Sequence, residues 1–406
     1  MASRKKKNRK GLFGPGFLVT AAFIGPGTVT TCSLAGAQFG YTLLYTLLFA
    51  ILATILLKEM TGRLSLGSGH DLAQALREFP QHNFTRWFFI ILTISSITLG
   101  CAAYEAGNIV GGALGLKMIT PLPQKIWVII ISLAAFWILS RKKYQLIETI
   151  LISLVFIMSI SFILTLVLIK PNFNHIWRGY WPSIPEGSLP IILALIGTTI
   201  VPYNLFLHSA AVRKKWSSPA DLSRVKRDLI VSIGLGGLIS SAIVITSAAA
   251  FFDRGLPLES GAQMAWQLKP LFGSFAQIMF GLGFFAAGMT SAITAPYAAA
   301  FASTGVLGLD PVKKPGSFKA VWMIVLGTGL IVSLFNLEPI GVIVFAQMAN
   351  GLILPVATIT LLVVLNQARY MKSLKNNLFQ NIVGGLIALL VTILGLWNII
   401  RLFIKK

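Results

Sequence analysis

The sequence predicts an all-α integral membrane protein of eleven transmembrane helices, arranged as two inverted repeats. Three observations predict it. The 406 residues are 55% hydrophobic and only 11% charged, against about a quarter charged in soluble chains. Eleven apolar runs are long enough, at roughly 20 residues, to cross a bilayer. Two of those runs, five apart in order, are interrupted by proline near their centres.

The spans follow one another with short connections. Span 1 covers 14–38 and is interrupted at Gly25-Pro26-Gly27-Thr28. Spans 2 to 5 cover 41–61, 87–114, 123–140 and 147–169. Span 6, 189–212, is interrupted at Val201-Pro202-Tyr203-Asn204. Spans 7 to 11 cover 228–252, 273–306, 318–335, 338–365 and 378–400. The chain is therefore read as a single domain: a basic tail (1–13), a first repeat (14–169), a second repeat (189–365) and an additional helix (378–400). The connection 62–86 contains "GSGHDLAQALREF", where Asp71 is placed to cap a short amphipathic surface helix. The 170–188 loop carries Trp177, Tyr180 and Trp181, which suit the aromatic belt of a membrane interface. Cys32 and Cys101 fall inside spans and read as buried packing thiols. The run behind "MASRKKKNRKG" continues too far for a cleavable signal and lacks a small-residue cleavage site.

The formal charge of +22 raises nucleic acid as a partner, and its distribution argues against that. With the N-terminus inside and alternate crossings, 25 of the 34 Lys and Arg fall on the cytoplasmic side. That bias is the positive-inside rule. The expected partners are the bilayer and its anionic headgroups, with no nucleic acid. The expected place is the plasma membrane, multi-pass, with the C-terminus outside. A monomer is the default state.

The interruptions carry the functional signal. In hydrocarbon every backbone N–H and C=O needs a partner. Proline removes a donor and clashes with the preceding turn. A break at mid-span is therefore buried in protein or lines a cavity, where freed groups can hold a solute. Two breaks at matching positions of two halves point to an inverted-repeat transporter. A proline kink made only for packing is the competing explanation of either break alone.

At these residues the chain resembles the NRAMP family of proton-coupled divalent-metal transporters. "GPGFLVTAAFIGPGTVTTCSLAGAQFGYTLL", "GTTIVPYNLFLHSA" and "FAQMANGLILP" resemble that family's first, sixth and tenth helices. The resemblance covers nearly the whole chain and implies a LeuT-like fold. It also implies a site. The family's Asp-Pro-Gly-Asn, whose Asp and Asn bind metal, falls on Gly25, Pro26, Gly27 and Thr28. Its Met-Pro-His-Asn falls on Val201, Pro202, Tyr203 and Asn204. A carbonyl ligand falls at Thr198, and the tenth-helix glutamine matches Gln347. One position of a third-helix acid pair is kept as Glu105, and the other is Ala102.

The scaffold is kept and the anionic, soft and imidazole ligands are lost. What remains is Thr28, Thr198, Thr199, Tyr203, Asn204, Gln347 and main chain, all neutral. Hard cations favour oxygen ligands, commonly carboxylates, and transition metals favour imidazole or sulfur. Neutral donors beside helix N-termini suit an anion. The sequence-based expectation is thus a secondary transporter of a small, bicarbonate-sized anion. Divalent-cation transport, Mg2+ or Mn2+, is the alternative, and a sensor or intramembrane enzyme is a remote third. Glu105 reads as the one acid well inside a span, with proton relay or inter-helix hydrogen bonding as its roles. His208 lies about one turn beyond Asn204 and can couple protons or simply be a satisfied core histidine. No Walker loop, HExxH or Cys/His cluster is present, and no cofactor or enzymatic activity is expected.

Overall fold

The computed structural model describes residues 24–80, 82–141, 145–216, 218–310 and 313–404. The first half of span 1, the basic tail, "KK" at 142–143 and the last two lysines lie outside the described residues. The principal helices are α1 Pro26–Phe39, α2 Leu44–Ser68, α3 Leu72–Glu78, α4 Asn83–Ile119, α5 Gln124–Ser140, α6 Gln145–Ile169 and α7 Phe173–Gly179. They continue with α8 Leu189–Thr199, α9 Pro202–Lys215, α10 Leu222–Ala250, α11 Ala276–Leu307, α12 Pro315–Leu334, α13 Pro339–Leu365 and α14 Leu378–Ile404. Among the described residues nine helical segments are long and apolar enough to cross a membrane, counting 189–215 as one. α5 is apolar but shorter, at 17 residues. α1 is the described half of span 1.

Packing is dictated by small residues where helices must touch without help from water. α4 and α11 meet through Gly112 against Gly288 and Gly115 against Gly281, where the run "GGALG" supplies the α4 side of the contact. Outward faces are apolar, as a lipid-facing surface requires. Leu164 and Val167 of α6, and Leu389, Ile393 and Trp397 of α14, are all exposed. Trp177 and Trp181 are exposed near one end of the bundle, as an interface belt needs. Asp71 caps α3 by accepting from the Gln74 amide, with the reciprocal bond completing a capping box. Both cysteines are free and buried.

Span 2 runs past its expected end at 61 to Ser68, so Arg63 is helical and buried rather than a loop charge, and Lys58 and Glu59 lie well inside the helix. Glu105 is consequently not the one acid inside a span. Hydropathy drops where charges begin, but here partners, several on distant helices, keep Glu59 and Arg63 inside. Glu59 Oε2 accepts from Arg63 Nε at 2.9 Å and Glu59 Oε1 faces Lys226 Nζ of α10 at 3.5 Å. Arg63 also donates to Gln380 and Asn376, each at 2.8 Å. This network joins α2, α10 and the start of α14 at the end of the bundle where Lys215 lies.

Candidate functional site

The two breaks converge. Span 6 is split as expected: α8 stops at Thr199, Ile200 and Val201 are non-helical, and α9 restarts at Pro202. α1 starts at Pro26 behind an extended Gly25. Proline suits both starts, since the first amides of a helix have no intrahelical acceptor. Neither start carries a side-chain cap. Two positive helix ends are thus set at the centre of the bundle.

The residues between them are buried and neutral. Thr28 and Thr198 are fully buried, and their hydroxyls share one hydrogen bond of 2.8 Å that ties α1 to α8. Gln347 of α13 lies against Gly27, where a Cβ would overlap its amide; glycine is required by that approach. Gly197 likewise meets the Gln347 carbonyl. Gln347 Nε2 donates to the Ile343 carbonyl at 3.4 Å, while its Oε1 is buried without a donor. Asn204 Oδ1 is also buried without a donor. Tyr203 meets Tyr104 edge-on, with ring centroids 6.0 Å apart. Thr199 spends its hydroxyl on the Leu195 carbonyl at 2.8 Å. Val201 is buried and its carbonyl accepts from the Asn204 amide at 3.1 Å.

Gly25 reveals two neighbours that sequence reasoning missed. A Cβ there would lie 3.0 Å from Ser291 Oγ of α11 and 3.5 Å from the Tyr104 hydroxyl of α4. The Tyr104 hydroxyl is buried and unpartnered. The available signal was adjacency: Tyr104 precedes the singled-out Glu105. Ser291 carried no sequence signal.

Glu105 itself is turned elsewhere. It is fully buried, packs against Gly329 of α12, and accepts from Asn108 Nδ2 at 3.3 Å, leaving Oε1 without a donor. His208 is fully buried below the break. Thr61 Oγ1 donates to the Lys58 carbonyl at 2.8 Å, so His208 Nδ1–H donates to Thr61 at 2.9 Å. His208 Nε2 is left as a buried acceptor without a partner. Further along α1 a buried chain links it to α10: Thr246 donates to Gln267, and Gln267 donates to Ser33 Oγ at 2.8 Å.

Among the described residues no group of three or more His, Cys, Asp or Glu is arranged to hold a metal. The side chains described at the break are neutral and offer hydroxyls, amide oxygens and helix ends. Comparison with known proteins places this arrangement. The sequence model described as natural resistance-associated macrophage protein-like matches residues 16–401. The chain belongs to this family. It is accordingly an NRAMP-type membrane transporter and not an enzyme. A protein named divalent metal cation transporter MntH from Nostoc sp. is 30% identical, the match covering 96% of this chain and 90% of that one. One of the same name from Staphylococcus saprophyticus is 29% identical, covering 96% and 92%. A mutant of the Eremococcus coleocola manganese transporter, known from its crystal structure, matches with TM-score 0.74 at 23% identity, covering 95% of this chain and 85% of that one. Mhp1, a nucleobase-cation-symport-1 family transporter, shares the fold at TM-score 0.59 and 14% identity, covering 96% and 93%. The LeuT-like architecture expected from the resemblance is thus the architecture of this NRAMP-type chain.

Proposed function

We propose that this chain carries a divalent metal cation, Mg2+ or Mn2+, by alternating access around the paired breaks. One observation carries this reading: Asn204 Oδ1 and Gln347 Oε1 are buried acceptors that find no donor among the described residues. A buried oxygen that lacks a donor is a costly group, and a cation satisfies it. The Thr28 and Thr198 hydroxyls and freed carbonyls add oxygen ligands. With no carboxylate available, the ion keeps part of its water, as Mg2+ readily does. Relatives named as divalent metal cation transporters support the same cargo. They weigh against the bicarbonate-sized anion preferred from the sequence, which rested on the missing carboxylate.

The anion stays as a second reading because both helix starts at the break are uncapped. The proposal includes a cytoplasmic N-terminus, repeats at 14–169 and 189–365, and proton passage through Glu105 and His208. The test is uptake into proteoliposomes of Mn2+, Mg2+ and bicarbonate, with a pH dye inside. Cation uptake that falls in Asn204→Ala and Gln347→Ala supports the reading. Bicarbonate uptake with neither cation moving overturns it.

A further inference from the structure

Lys58 belongs neither to the paired network nor to the neutral lining of the break. It is only 3% exposed inside α2. Its ammonium makes no ion pair or hydrogen bond with the described residues. An ionisable side chain inside a membrane span is a functional signal by default.

Its position follows from α2. Thr54, Lys58, Thr61 and Ser65 recur at helical spacing and fall within about 60° of one another around the axis. Three of the four reach across to span 6. Thr54 Oγ1 approaches the Thr199 carbonyl at 3.4 Å, Thr61 bonds His208 at 2.9 Å, and Ser65 bonds Ser209 at 2.9 Å. Lys58 lies between the first two, about 6 Å along the axis from Thr54 and about 4.5 Å from Thr61. On α2 it therefore lies between the two residues that meet Thr199 and His208.

The other charges near it are committed. On α2, Glu59 and Arg63 pair with each other. From α10, Lys226 pairs with Glu59. From the start of α14, Arg63 meets only the neutral Asn376 and Gln380. From α9 the facing titratable group is His208, whose Nδ1 is bonded to Thr61. Among the described residues, Lys58 is thus the basic side chain nearest the break that has no acidic partner.

We propose that Lys58 is the charge-selecting residue of this transporter: its ammonium, beside a break without a carboxylate, holds down affinity for a divalent cation. The inference rests on reading the break as a cation site. In a low-dielectric interior, like charges a few ångströms apart repel far more than in water. Removing the ammonium relieves that repulsion without touching an oxygen ligand.

The experiment compares wild type, Lys58→Gln and Lys58→Arg in proteoliposomes, with Mn2+, Mg2+ and bicarbonate as probes. The expected result is a KM for Mn2+ or Mg2+ at least tenfold lower in Lys58→Gln, with the maximal rate retained and Lys58→Arg resembling wild type. Equal KM in all three variants overturns the inference and leaves the cation reading standing. Cation uptake absent from all three overturns both. Cation uptake gained only by Lys58→Gln supports the selecting role and overturns the cation reading for the natural chain. Bicarbonate uptake lost in Lys58→Gln and kept in Lys58→Arg does the same.

Discussion

Two buried polar regions of this chain are built on opposite terms. At the Lys215 end, Glu59, Arg63 and Lys226 are charged and mutually paired, and Arg63 also donates to Asn376 and Gln380. At the break, the described side chains are neutral, and Asn204, Gln347 and Tyr104 each leave a polar atom without a hydrogen-bond partner among the described residues. The first region pairs its charges, with Glu59 Oε1 held by Lys226 through an ion pair rather than a hydrogen bond, and so ties three helices together. The second is unsatisfied and so favours the arrival of something else. Stability and binding are separated along the same helices, with Lys58 at the boundary.

Substitutions can break or sharpen that contrast. The largest expected effect is on the paired region. Arg63→Ala leaves Glu59 buried with only the half-exposed Lys226 for a partner. Loss of one member of a buried pair costs about 3–5 kcal/mol, and a marked fall in unfolding temperature in detergent is the check. An unchanged temperature would show that the network is ornamental.

Next comes Gly27→Ala. Its methyl overlaps the Gln347 amide, and overpacking of this kind costs about 1–3 kcal/mol. Transport should fall sharply, and Gln347→Ala in the same chain should restore the stability but not the transport. Recovery of both would remove Gln347 from the site. Thr28→Val follows, at about 1–3 kcal/mol, because it leaves the Thr198 hydroxyl buried without this 2.8 Å partner. Adding Thr198→Val should return most of that stability, so a double-mutant cycle measured by unfolding tests the bond. The smallest effect belongs to Lys226→Ala. Its side chain is 51% exposed, and such pairs contribute about 0–1 kcal/mol. A larger loss would mean that Glu59 depends on Lys226 more than on Arg63.

Much of this was legible in the sequence. Proline and glycine inside apolar runs announce lost backbone donors; span 6 breaks at Pro202, and α1 starts at Pro26. The Asp71 cap was legible because its signal is local. The end of α2 was not legible, because Lys58, Glu59 and Arg63 lower the hydropathy just as a loop does. What keeps Arg63 inside is a glutamine 317 residues away. Ser291 at Gly25 was hidden for the same reason: its neighbour is on another helix.

By itself, the sequence determined that the chain is a helical membrane protein, where its helices break, and that the break lacks a carboxylate. These are properties of single segments, set by backbone chemistry and by transfer of apolar side chains out of water. Tertiary structure alone decided which polar groups are paired and which wait. Glu59 is paired, Glu105 is turned toward Gly329, and Lys58 is buried with no counter-charge among the described residues. Pairing depends on which helices meet, and that is a property of the whole fold.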